Sequence, residues 1–153
     1  MKVSEAEMYS TAAAFVASLS PGNTATVITL SGELGAGKTT FTQGIAKAFG
    51  VEETVSSPTF VLEKIYALPD GVFTHLIHID AYRLKDEHEL EGIGWSDILS
   101  VPGNLIVLEW PERVPALVPT DAINIRFDIE GDERIITITY GKESTEESPY
   151  EDS

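Results

Sequence analysis

The chain has 153 residues, 42% of them hydrophobic, which suits one domain with a substantial core. It contains no cysteine, so disulfides, thiolate catalysis and cysteine-based zinc sites are excluded. Its formal net charge of -15 repels phosphate backbones and argues against direct binding of nucleic acid by this chain alone.

The N-terminus, Met1 to Glu7, lacks an apolar stretch behind its basic start and does not read as a signal peptide. No apolar run approaches the roughly 20 residues a membrane helix needs, and a cytoplasmic location is expected. Ser4 to Leu19 reads as a helix: Ser4 with Glu7 three residues on fits a capping box, and Met8, Ala12, Phe15, Val16 and Leu19 form a helical apolar stripe. Pro21-Gly22-Asn23 breaks that pattern. Thr24 to Leu30 is β-branched and apolar and predicts a buried strand. A glycine-rich loop follows, then a helix from Lys38 to Phe49 ended by Gly50.

Thr59 to Ala67 and Phe73 to Ile79 are apolar, and Pro69-Asp70-Gly71 between them has the chemistry of a turn, which predicts a hairpin. Lys85 to Leu90 suggests a short helix. Leu105 to Leu108 is a compact apolar run of the kind found in central parallel strands. Ala122 to Ile129 and Arg134 to Tyr140 alternate apolar and polar residues around Glu130 to Glu133, which predicts a late antiparallel hairpin. Residues 142–153 are acidic and poor in apolar groups, the composition of a disordered tail beyond a domain of residues 1–141.

The spacing G-x-x-x-x-G-K-T is met in full at Gly32 to Thr39. Glycines let backbone amides converge on phosphate oxygens without Cβ clashes, and the helix that starts there turns its positive end to the anion. Lys38 can reach the β- and γ-phosphates of a nucleotide, and the Thr39 hydroxyl can ligate Mg²⁺. Such a magnesium usually takes a second, acidic anchor from the end of another strand. Asp80 and Glu109 both close apolar strands, and Glu109 closes the cleaner buried run. Trp110 beside it is as readily explained by packing as by a ligand contact. His75 and His78 are three apart on a strand and point to opposite faces, so they make poor joint ligands, and a structural zinc site is not expected.

Gly32 to Thr42, Ser56-Ser57-Pro58-Thr59-Phe60, His78-Ile79-Asp80-Ala81-Tyr82-Arg83-Leu84 and Val107-Leu108-Glu109-Trp110 together resemble the TsaE (YjeE) family over residues 4 to 141. These are bacterial ATPases needed to make threonylcarbamoyladenosine in tRNA. The resemblance implies a small three-layer P-loop NTPase-like α/β fold, with a central mostly parallel sheet and an antiparallel C-terminal hairpin. It implies ATP and Mg²⁺ as ligands. Leu34, Gly35, Ala36, Gly37, Lys38, Thr39 and Thr40 would cradle the nucleotide, with Trp110 and Arg134 beside it. Thr39 and Glu109 would hold the metal, Thr59 would sit in a switch-like loop near the γ-phosphate, and Asp80 would be functionally important. A helix-1 threonine that usually helps hold the nucleotide in the family is Met8 here. TsaD and TsaB would be the partner proteins, with tRNA engaged only through them.

Other functions weigh less. A small-molecule kinase needs cationic groups to clamp two phosphorylated substrates, and the four arginines, Arg83, Arg113, Arg126 and Arg134, are scattered along the chain. A GTPase would carry Asn-Lys-x-Asp, and none of Asn23, Asn104 and Asn124 precedes a lysine. A non-catalytic nucleotide-sensing module would share the loop, because the loop alone sets no rate of hydrolysis.

Overall fold

The computed structural model describes residues 1–32, 37–52, 63–84 and 87–141, and of Arg83 the backbone only. The expected acidic tail, 142–153, lies outside the described residues, as do Leu34, Gly35, Ala36 and Thr59. Among the described residues no helix is long and apolar enough to cross a membrane.

The strands are β1 (Lys2–Val3), β2 (Thr26–Gly32), β3 (Glu63–Ala67), β4 (His75–Asp80), β5 (Asn104–Glu109), β6 (Ile123–Glu130) and β7 (Glu133–Thr139). The helices are α1 (Met8–Ala17), α2 (Lys38–Ala48), α3 (Glu87–Gly92) and α4 (Trp95–Leu99). All seven strands form one sheet in the order β1-β7-β6-β2-β5-β4-β3. The four central strands, β6, β2, β5 and β4, run parallel. β3 pairs antiparallel with β4 at one edge, and β7 with β6 and β1 with β7 at the other. The sheet is therefore mixed, parallel at its centre and antiparallel at both edges, and both predicted hairpins are present.

The periodicities explain the elements. β5 is buried along its whole length, as a strand covered on both faces must be. β6 alternates buried and exposed at five of its positions, because only one face of that part of the sheet is covered. On the covered face, Leu30, Ile125, Phe127, Leu76 and Val107 pack with Ala12, Phe15 and Val16 of α1 and Phe41 and Ile45 of α2. On the opposite face, Val27, Ile77, Ile79, Ile106 and Leu108 pack with Leu84, Leu90, Trp95 and Val114. That gives three layers.

The predicted boundaries shift by a few residues. The first helix is divided: residues Glu5–Glu7 form a 3-10 turn, and α1 begins at Met8. The Ser4 N–H donates to Glu7 Oε1 at 2.9 Å, one arm of the predicted capping box. Two elements were not foreseen. β1 is two residues long, too short for periodicity to reveal. α4 follows Gly94, whose φ of 88° ends α3 and starts the next turn.

Candidate functional site

β2, β5 and β4 all end at the same edge of the sheet, where Gly32, Glu109 and Asp80 sit. In open α/β sheets this carboxyl edge is where ligands bind. Asp80 is the direct register partner of Glu109, so the two acids lie side by side on one face. β7 runs back from the hairpin, so its first residues lie at this same edge, and Arg134 pairs there with Ile129 and Val3. β1 points toward the edge and delivers Glu5 and Met8.

The result is a cavity of about 640 Å³ lined by Glu5, Met8, Gly37, Lys38, Thr39, Thr40, Asp80, Tyr82, Glu109, Trp110 and Arg134. That volume lies within the range of small-molecule sites. The structure thus brings together most of the expected site residues, puts Met8 among them, and adds Glu5 and Tyr82.

Gly32 has a φ of 124°, and a Cβ there would collide with the carbonyl oxygen of Phe127 on β6. The first glycine of the loop is therefore demanded by close approach of two strands as well as by the loop. Gly37, with a φ of 110°, precedes α2, and a Cβ on it would stand 2.6 Å from Met8 Cε. Met8 thus packs on the glycine at the foot of the site.

Lys38 is buried, and its Nζ donates to the Gly32 carbonyl at 3.1 Å. The same Nζ lies 4.4 Å from the centre of the Trp110 ring. Tyr82 stacks at a tilt against Trp110, with 5.0 Å between ring centres, and Arg113 sits over Tyr82 at 5.5 Å. A ladder of cation and ring contacts so runs from the loop lysine to the surface. Trp110 also packs against the core of the opposite face, so packing and site contacts coexist in one side chain. Its backbone is left-handed, φ 61° and ψ 53°, unusual for a bulky residue.

Glu109 is buried, and its Oε2 lies 2.6 Å from His78 Nε2. Asp80 is half-exposed and accepts from the Tyr82 N–H at 3.0 Å, capping the 3-10 turn Ala81–Arg83. Arg134 is 13% exposed at its side chain and pairs with Glu5 at 3.2 Å, while its Nε is buried without a hydrogen-bond partner among the described residues. Lys38, Arg134, Asp80 and Glu109 thus line one cavity at this edge. Such a set can receive an anion together with a hard cation.

Sequence reasoning compared His78 only with His75 and missed its contact with Glu109. The signal was available in the period of two. His78 and Asp80 share a face, and a parallel partner that aligns Asp80 with Glu109 puts the imidazole one diagonal step from the second acid.

The fold and its loop-bearing edge define a P-loop NTPase-like α/β protein. Residues 3–136 match the family model described as threonylcarbamoyl adenosine biosynthesis protein TsaE. The tRNA threonylcarbamoyladenosine biosynthesis protein TsaE of Rickettsia bellii is 41% identical over 89% of this chain and 90% of its own. The protein of the same description from Bacillus subtilis is 42% identical over 74% of this chain and 68% of its own. A crystal structure of Bacillus subtilis YdiB superimposes with a TM-score of 0.73 at 31% identity, covering 94% of this chain and 86% of that one. The chain belongs to the TsaE family.

Proposed function

We propose that this chain binds ATP with Mg²⁺ and hydrolyses it slowly, as the ATP-using subunit of the cytoplasmic machinery that makes threonylcarbamoyladenosine in tRNA. The observation that carries the proposal is Lys38. Its ammonium is buried on the Gly32 carbonyl and over Trp110, in a cavity that also holds both strand-end acids and Arg134. A buried cation beside an open cavity at a helix N-terminus matches the needs of a polyphosphate.

The residues fit both ligands. The Arg134 Nε, buried and unpartnered, is a donor that an anion in the cavity would satisfy. The Thr39 hydroxyl and the Glu109 carboxylate are hard oxygen donors, the chemistry Mg²⁺ prefers, and the metal ordinarily completes its shell with water and phosphate oxygens. Backbone amides of residues 34–37 and Thr40 would cradle the phosphates. Lys38 would bind the β- and γ-oxygens, leaving its contact with Gly32. Thr39 and Glu109 would hold the metal, and Arg134 and Trp110 would flank the nucleotide. Thr59 and Asp80 would act at the γ-phosphate end. Magnesium, when bound, supplies neutralisation of charge on the phosphate oxygens.

The family's role in tRNA modification implies partner proteins. We assign these to TsaD and TsaB, with tRNA engaged through them. The test is Lys38→Ala. Charge-assisted hydrogen bonds of this kind contribute roughly 1.5–3 kcal/mol, so turnover of ATP should fall to background while circular dichroism stays native. Unchanged turnover in the folded variant would refute the assignment.

A further inference from the structure

We propose that His78 is a positioning residue that fixes the Glu109 carboxylate for metal binding, an inference that rests on the metal role given to Glu109 above. The side chains of His78 and Glu109 are 0% and 6% exposed, and 2.6 Å separates Nε2 from Oε2. This is shorter than the roughly 2.7–2.9 Å usual for a charge-assisted N–H···O bond. The contact follows from the sheet. His78 faces Val107, and Glu109 lies two residue pairs further along the parallel ladder, on the same face.

The other ring nitrogen, Nδ1, is buried and has no hydrogen-bond partner among the described residues. A buried donor left unmade costs more than the gain from a typical bond made. An ionised carboxylate only accepts, so Nε2 is the donor to Glu109. With Oε2 taken by the imidazole, Oε1 is the oxygen left for the cavity. A glutamate carboxylate can swing about three side-chain torsions, and one strong bond to a ring that is itself held by the sheet restricts that freedom. Groups that orient a metal-binding side chain in this way typically change metal affinity by about 10- to 100-fold when lost.

Asp80 and Glu109 stand side by side at the strand ends, yet their partners differ. Asp80 spends one oxygen on the Tyr82 N–H at the surface, whereas Glu109 is held from inside the core.

The experiment uses the full chain. Binding of ADP is measured by calorimetry across a series of Mg²⁺ concentrations, and again in EDTA, for His78→Leu, His78→Asn, His78→Gln and Glu109→Gln. Glutamine places an N–H where Nε2 stands, while asparagine is too short to reach. The Leu and Asn variants should need about 10- to 100-fold more Mg²⁺ for the half-maximal effect, with ADP affinity in EDTA unchanged. The Gln variant should stay near native. Should the Leu variant fail to fold, the contrast between Gln and Asn carries the test. A native Mg²⁺ midpoint in a folded His78→Asn, or a Gln variant shifted as far as the Asn variant, overturns the role of His78. A native Mg²⁺ midpoint in Glu109→Gln overturns the metal role of Glu109 itself, and with it this inference.

Discussion

At the scale of single residues, the molecule keeps several polar atoms where water cannot reach them. Glu63 on β3 is one outside the cavity. Its Oε2 is buried without a partner among the described residues, and burial pushes its carboxyl above the usual carboxylate range. A carboxyl raised in this way binds its proton more readily folded than unfolded. Ionised Glu63 therefore weakens the fold, and the loss develops as pH rises above the ordinary carboxyl value and stays constant once past the raised one. Glu63→Gln should raise the melting temperature near pH 7 and leave it unchanged near pH 4. Equal gains at both pH values would mean that the charge is not the cause. Nothing in the chain pattern singles Glu63 out, since desolvation is a property of what packs around it.

At the scale of elements, α1 and α2 meet through Gly44. A Cβ there would stand 2.9 Å from the Ala12 Cβ and 3.2 Å from the Tyr9 Cα, neither of which can turn aside. Tyr9 tightens the same seam, donating its hydroxyl to Gln43 at 3.1 Å and lying under Lys47. Gly44→Val should cost about 1–3 kcal/mol by overpacking, read as a lower melting temperature. It should also weaken nucleotide binding, because the helix it displaces carries Met8 against Gly37. Native nucleotide affinity in a folded Gly44→Val would show that α1 is not part of the site. The central strands and α2 were legible because their apolar runs and caps are local signals. β1 and α4 were not, because two residues on an edge and five behind a glycine carry too little pattern. The close approach at Gly44 was equally hidden, since a glycine inside a helix looks the same in sequence whether it is packed or open.

On the scale of the whole molecule, 25 acidic residues face 10 basic ones. Two of the ten, Lys38 and Arg134, are turned inward to the cavity. Others on the outside are matched by acids, as Lys2 is by Glu130 at 2.9 Å and Arg126 by Asp128 at 3.3 Å. A chain with this balance offers no basic stripe from which counterions could be released on a polynucleotide. The isolated protein should leave tRNA unshifted on a gel at moderate salt, and tRNA should retain it once TsaD and TsaB are added. A tight complex with tRNA by itself would contradict the division of labour proposed here. The charge was legible from composition alone. That Lys38 and Arg134 belong to one site was an expectation of the family resemblance, and the fold brings them to one edge through the reversal of β7.

Position 110 sets two demands against each other. Its left-handed backbone suits glycine or asparagine and costs a large residue on the order of 1–3 kcal/mol, yet the indole it carries seats both Lys38 and Tyr82. A programme that improves this protein by melting temperature alone would be drawn to replace Trp110 and would harvest relaxed backbone there. The gain would come at the expense of the proposed ligand site, so thermal ranking and functional ranking of variants should diverge at this residue.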